Sequence, residues 1–248
     1  MAPQKRDTGR SDDPSDRAVI DAAIDAAGAD PALRSDPGVA DDVGGVVRTA
    51  VDAVGRAGTI SASALTDALE SAGRSLTRRV VAGAATEGKD MADPAALQKA
   101  LADKPRLPAL GSATTAAVAL RFASRFRRLG FLAKRTPAFL VAAAVPALVA
   151  SVTRGADELG MVASHLEHRS RAEGVEPDIE RVRRAAVQIV LRRPIDPETE
   201  PSHGALVVQW LRRAFRAALP FTAGVATADP EGLARAAAEV DTARLGAA

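Results

Sequence analysis

Apolar residues along this 248-residue chain recur at helical spacing, and no stretch alternates apolar and polar positions between hairpin turns. The pattern predicts an all-α fold, a bundle of about eight to ten short helices behind a disordered N-terminal tail. Val19, Ile20, Ala23, Ile24 and Ala27 lie on one side of a helix over 16–27, which Gly28 stops in a left-handed turn. Further helices are predicted over 62–72, 76–85, 94–102, 112–129, 137–152, 157–173, 177–191, 205–219 and 230–245. Asp93 and Asp229 each precede a proline, the arrangement of an N-cap followed by Pro at the first helical position. Two prolines within Lys104, Pro105, Arg106, Leu107 and Pro108 cannot continue a helix and read as a linker. The expected organisation is a tail at 1–15, an acidic helical region at 16–103, a linker at 104–111 and a C-terminal helical domain at 112–248.

Charge sharpens this division. The net charge is only +2, yet residues 1–103 carry 12 basic and 17 acidic side chains, 104–156 carry 9 and 0, and 157–248 carry 12 and 14. Arginine outnumbers lysine 28 to 5, as a GC-rich genome would produce, but such a bias would not confine +9 to one segment. An uncompensated basic block points to an anionic partner. The first 17 residues lack the apolar run of a secretory signal, so the protein is expected in the cytoplasm, peripheral to the inner membrane.

Within the block, a wheel at about 100° per residue places Val118, Phe122, Phe126 and Leu129 in one stripe and Arg121, Arg125 and Arg128 in the stripe beside it. Phe131, Leu132, Lys134 and Arg135 follow, and then 18 residues without a charge, 136–153. At about 1.5 Å per residue this run reaches roughly 27 Å, just short of a hydrocarbon core of about 30 Å. Arginines that meet headgroups beside an apolar face that enters the acyl boundary describe a membrane-surface helix. The expected membrane- or anion-binding residues are therefore Arg121, Arg125, Arg128, Lys134 and Arg135, with Phe122, Phe126 and Phe131. The same residues also suit a buried central helix of a bundle, with a protein partner in place of a membrane. Nucleic acid fits less well, because the aromatics share a face with Val and Leu and are not free to stack on bases. A second basic amphipathic helix, 205–219, spreads Leu206, Val207, Trp210, Leu211 and Phe215 over a wide apolar arc.

The stock of catalytic groups is thin. With no Cys, no Tyr and three His, thiol chemistry and thiolate metal sites are excluded, and no cofactor or metal is expected. Gly83 to Lys89 has the spacing of a phosphate-binding loop, but Asp90 stands where Ser or Thr should hold Mg²⁺. His165 and His168 are three apart, not the four of helical zinc proteases, with His165 expected at the margin of the core face and His168 opposite. His203 stands beside Ser202. These histidines read as solvated surface groups, and an enzyme built on them would require all three to converge in one pocket.

The apolar segment from Pro137, the stretch Arg171 to Asp178 (RAEGVEPD) and Arg181 to Val190 (RVRRAAVQIV) resemble the EcsC-like family of bacterial helical proteins over about a fifth of the chain. The resemblance implies a non-enzymatic, membrane-associated role and carries over no catalytic residue. Residues and resemblance together give the expectation of a non-enzymatic helical protein binding the cytoplasmic membrane surface. The alternative is a soluble helical scaffold or protein-interaction protein with 137–153 as its buried core helix.

Overall fold

The computed structural model describes residues 62–84, 91–103, 136–218 and 229–247, with the backbone alone over 62–65, 68, 84, 136–150 and 214–218. These residues form six α-helices: α1 (Ala62–Ala84), α2 (Pro94–Asp103), α3 (Thr136–Ala172), α4 (Ile179–Val190), α5 (His203–Ala218) and α6 (Pro230–Ala238), followed by a 3₁₀ turn (Thr242–Leu245). Among the described residues there is no strand, only one isolated bridge between Pro177 and Gly246. The all-α class holds for the described residues. The helix expected at 16–27, the tail, the linker and the helix expected at 112–129 lie outside the described residues.

Two pairs of expected helices are each one continuous helix, and a glycine explains both. The windows 62–72 and 76–85 join into the 23-residue α1 through Gly73, where a side chain would press on the backbone of His203. Thr77 Oγ1 donates to the Gly73 carbonyl at 2.7 Å, within the same turn. The windows 137–152 and 157–173 join into the 37-residue α3 through Gly155, over which the indole of Trp210 lies so closely that an added methyl would overlap it. In both places glycine serves close helix approach and does not end a helix.

The window 230–245 is divided instead. Asp241 accepts a backbone hydrogen bond from Ala243 at 3.1 Å and so starts a separate 3₁₀ turn, a local competition with helix that short polar side chains often win. Asp229 caps α6 through Gly232 N–H at 2.9 Å, and Asp93 caps α2 through Ala95 N–H at 2.9 Å, as expected. Gly174, with φ of 80°, ends α3 in the left-handed conformation while Val175 N–H returns to the Ser170 carbonyl. Pro177 is not the first residue of α4: Asp178 is the N-cap, and Pro177 pairs with Gly246 in the bridge.

The core is arranged around α3, which packs against every other helix and the 3₁₀ turn. Its residues Val152, Leu159, Val162 and Leu166 meet Leu76 and Val81 of α1, Leu97 and Leu101 of α2, Val182 and Ile189 of α4, Leu206 and Trp210 of α5 and Leu233 of α6, all buried. Each such Leu, Val or Ile contributes about 1.5–3 kcal/mol by leaving water. Among the described residues no helix is long and apolar enough to cross a membrane. The last residues of the uncharged run, Ser151, Val152 and Thr153, are buried, and Ser151 Oγ donates to the Trp210 carbonyl at 2.8 Å.

At the end of α4, Arg192 adopts φ of 54° while Arg193 N–H closes on the Gln188 carbonyl. This is a helix-ending position that glycine occupies without the steric cost of a Cβ. Arg192→Gly is expected to raise the unfolding free energy by about 1 kcal/mol, read as a higher urea midpoint with an unchanged slope. The contact it gives up, Arg192 to Asp229 at 3.4 Å, is largely exposed and contributes little.

Candidate functional site

Where α1, α4, α5 and the loop 191–202 meet, a polar cluster is enclosed within the apolar bundle. The loop is laid onto α4 by Gln188, whose side chain donates to the carbonyls of Asp196 at 2.9 Å and Thr199 at 3.2 Å and accepts from Asp196 N–H at 2.7 Å. This brings Glu200 to Arg183. The guanidinium of Arg183, 3% exposed, donates to both carboxylate oxygens of Glu200 at 3.0 and 2.8 Å and through Nε to Glu180 at 2.7 Å. Its Nη1 also donates to Nε2 of His203 at 2.6 Å.

That last bond fixes the state of the histidine. An arginine N–H can only donate, so Nε2 of His203 is an acceptor and the neutral ring carries its proton on Nδ1. Nδ1 has no hydrogen-bond partner among the described residues; it lies 3.6 Å from Glu200 and 4.0 Å from Glu70, beyond direct bonding. Burial, then the facing Arg183 charge, push the His203 pKa below its ordinary value, against the pull of Glu200 and Glu70. The side-chain hydrogen bond from Arg183 holds the Glu200 carboxyl well down, at about 2.

Glu70 reaches across from α1 to the start of α5. It accepts from Ser202 Oγ at 2.6 Å and from His203 N–H at 3.0 Å, so a carboxylate sits on the positive end of that helix. Burial opposes ionisation of Glu70, but the bonds from Ser202, Gly204 and His203 outweigh it and its pKa falls. Ser202 itself caps α5, accepting from Ala205 N–H at 3.1 Å. Ser202 and His203 are thus neighbours in sequence without the geometry of a nucleophile and its base: the hydroxyl donates to Glu70 and the ring is turned to Arg183. On the polar side of α1, Glu70, Ser71, Arg74, Ser75 and Arg78 line a groove of about 630 Å³.

His165 lies elsewhere in the bundle. Its Nδ1 donates to the Met91 carbonyl at 2.5 Å, just before α2, and its Nε2 is buried without a partner among the described residues. Burial pushes its pKa down, the Met91 carbonyl resists, and the nearby Arg169 charge assists. The expectation of solvated histidines is therefore corrected for two of the three: His165 and His203 are both fully buried. Neutral imidazole, unlike imidazolium, can enter a core when one nitrogen finds a backbone or side-chain partner. His168 is half-buried, donating to the Ser164 carbonyl at 2.7 Å. The three rings rest on three different partners, and among the described residues no group of His, Asp and Glu could hold a metal ion.

No protein-family model, curated protein or solved structure matches this chain. Of the residues behind the expected resemblance to the EcsC-like family, Gly174 ends α3, Asp178 caps α4 and Arg183 anchors the cluster. The phosphate-loop spacing has no matching context, since Gly83 lies in α1 and not after a strand. Arg121, Phe122, Arg125, Phe126, Arg128, Phe131, Lys134 and Arg135 all lie outside the described residues. The basic face of α5 is partly spent inside the protein: Arg213 donates to the buried Glu158 at 2.9 Å, and Arg154 approaches the other oxygen at 3.4 Å. Sequence spacing hints at Arg183 and Glu180, three apart on one helix; nothing local signals Glu70, 133 residues from the amide it caps.

Proposed function

We propose that this chain is a non-enzymatic protein that binds an anionic membrane surface through its basic central segment, with the helices around α3 as the folded platform that presents it. The observation that carries this reading is the placement of +9 within 104–156, with no acidic residue, directly before and within a helix whose later turns are buried in the bundle. Lys134 and Arg135 immediately precede Thr136, the first described residue of α3. An anionic headgroup would relieve this accumulation of like charge, and Phe122, Phe126 and Phe131 would supply apolar contact beside it.

The test is flotation of the full chain with vesicles. Partitioning onto vesicles rich in phosphatidylglycerol, little onto neutral phosphatidylcholine, and release at high salt are expected. Replacing Arg121, Arg125 and Arg128 together by Glu should weaken partitioning by roughly 100-fold or more, since each basic residue near an anionic surface contributes about 1 kcal/mol. A wild-type chain that stays with the aqueous phase at low salt would overturn the proposal. That result would favour a helical scaffold with 137–153 as a core helix, a reading supported by the burial of Ser151, Val152 and Thr153 beneath α5.

A further inference from the structure

Two buried, neutral histidines stand at the two places where the N-terminal helices meet the rest of the bundle. His203 lies at the α1 contact: Glu70 grips the start of α5, and Gly73 lets α1 approach the His203 backbone closely. His165 lies at the α2 contact, where it projects from α3 and donates to Met91, two residues before the N-cap Asp93. Both rings are fully buried, and each has one nitrogen without a partner among the described residues.

A second proton has no favourable place on either ring. On His203 it would set an N–H against an Arg183 N–H that is 2.6 Å from the same nitrogen. The groups around that ring are Glu70 and Arg74 of α1, Arg183 of α4 and Glu200 of the loop, and the two carboxylates face Nδ1, which already carries a proton. On His165 the proton would fall on the buried, unpartnered Nε2, near Arg169 and His168 of the same helix, with Asp93 ahead of α2 as the opposing charge among the described residues.

We infer that these two histidines form an acid-sensitive latch: protonation releases α1 and α2 from α3 and α5 while the C-terminal helices stay folded. The two latched helices are the lighter part of the core, contributing Leu76, Val81, Leu97 and Leu101, whereas α3 and α4 supply Val152, Leu159, Val162, Leu166, Val182, Ile189 and Val190. The sign follows from the depressed folded-state pKa of both rings. Their contribution to closure is fully present above the open-state value of about 6.5 and is lost as pH falls below it toward the folded pKa. While both rings stay neutral in the closed state, each histidine raises the open population about tenfold in all between pH 7.5 and 5.5, so two give about 100-fold. Glu200, with a pKa of about 2, does not titrate in this window.

Hydrogen–deuterium exchange on the full chain tests the inference. Protection factors, corrected for the intrinsic pH dependence, should fall about 100-fold between pH 7.5 and 5.5 across 69–81 and 97–101, and little across 156–166 and 182–190. The double variant His165→Gln with His203→Gln, in which neither side chain can take up a proton, should lose this pH response. Unchanged protection in 69–81 and 97–101 of the wild type would overturn the latch, as would an equal loss in every helix. An undiminished response in a folded double variant would overturn it as well; if that variant does not fold, the segment pattern of the wild type decides.

Discussion

Trp210→Ala is expected to lower the unfolding free energy by about 3–5 kcal/mol, the largest single loss available in the described core. The indole is fully buried where α5 crosses α3, and it fills space that exists only because residue 155 is glycine. The complementary change, Gly155→Ala, places a methyl on the ring and should cost about 2–3 kcal/mol through overpacking and displacement of α5. The two residues touch, so their effects should not add: Gly155→Ala in a Trp210→Leu background should cost at least 1 kcal/mol less than in the wild type. Urea unfolding of the four proteins reads this cycle. Full additivity would mean that α3 and α5 do not meet at this contact. Because Trp210 is the only tryptophan, its emission reports the same contact, and Gly155→Ala should shift it to the red.

Glu200→Ala should cost about 2–4 kcal/mol although Glu200 is itself partly exposed. The loss comes from Arg183, whose side chain is 4% exposed and would keep its charge while losing the paired bonds that compensate it. Glu180 remains in contact at 2.7 Å, which keeps the cost below that of a wholly orphaned cation. Glu200→Gln, with one acceptor oxygen, should cost about half as much, and Glu198→Ala, which removes an exposed partner of Arg181 at 3.3 Å, less than about 0.5 kcal/mol. The pH dependence carries a sign. A carboxyl lowered to about 2 adds stability that is complete above the unfolded value of about 4.5 and is lost as pH falls toward 2. The difference between wild type and Glu200→Ala should therefore be constant above about pH 5 and shrink below it, a trend that a purely steric role for Glu200 would not produce.

Helical periodicity made the class and most helix positions legible, because a buried stripe must recur with the helix period whatever its neighbours are. Leu159, Val162, Ala163 and Leu166 are buried as their spacing predicts. Where two expected windows form one helix, a glycine lies between them. A glycine such as Gly155 looks like a break when its own segment is read alone, and its purpose is visible only with Trp210, 55 positions away, laid over it. The histidines failed for the same reason. His165 at the edge of an apolar face reads as solvated until the Met91 carbonyl supplies the acceptor that lets it be buried. The Arg183, Glu200, His203 and Glu70 cluster joins two helices, a loop and a third helix; the spacing of Glu180 to Arg183 and of Glu200 to His203 is visible in a sequence, but the bonds that bring these pairs to each other and to Glu70 are not. Charge accounting located the basic block independently of fold, since a run of 9 basic and 0 acidic residues is a property of composition alone.

Exchange measured in the presence of vesicles tests the proposed role most directly. With anionic vesicles at low salt, peptides covering 118–135 should gain about tenfold or more in protection, those covering 156–190 should not change, and high salt should reverse the gain. Equal protection on neutral and anionic vesicles, or no protection over 118–135, would contradict it.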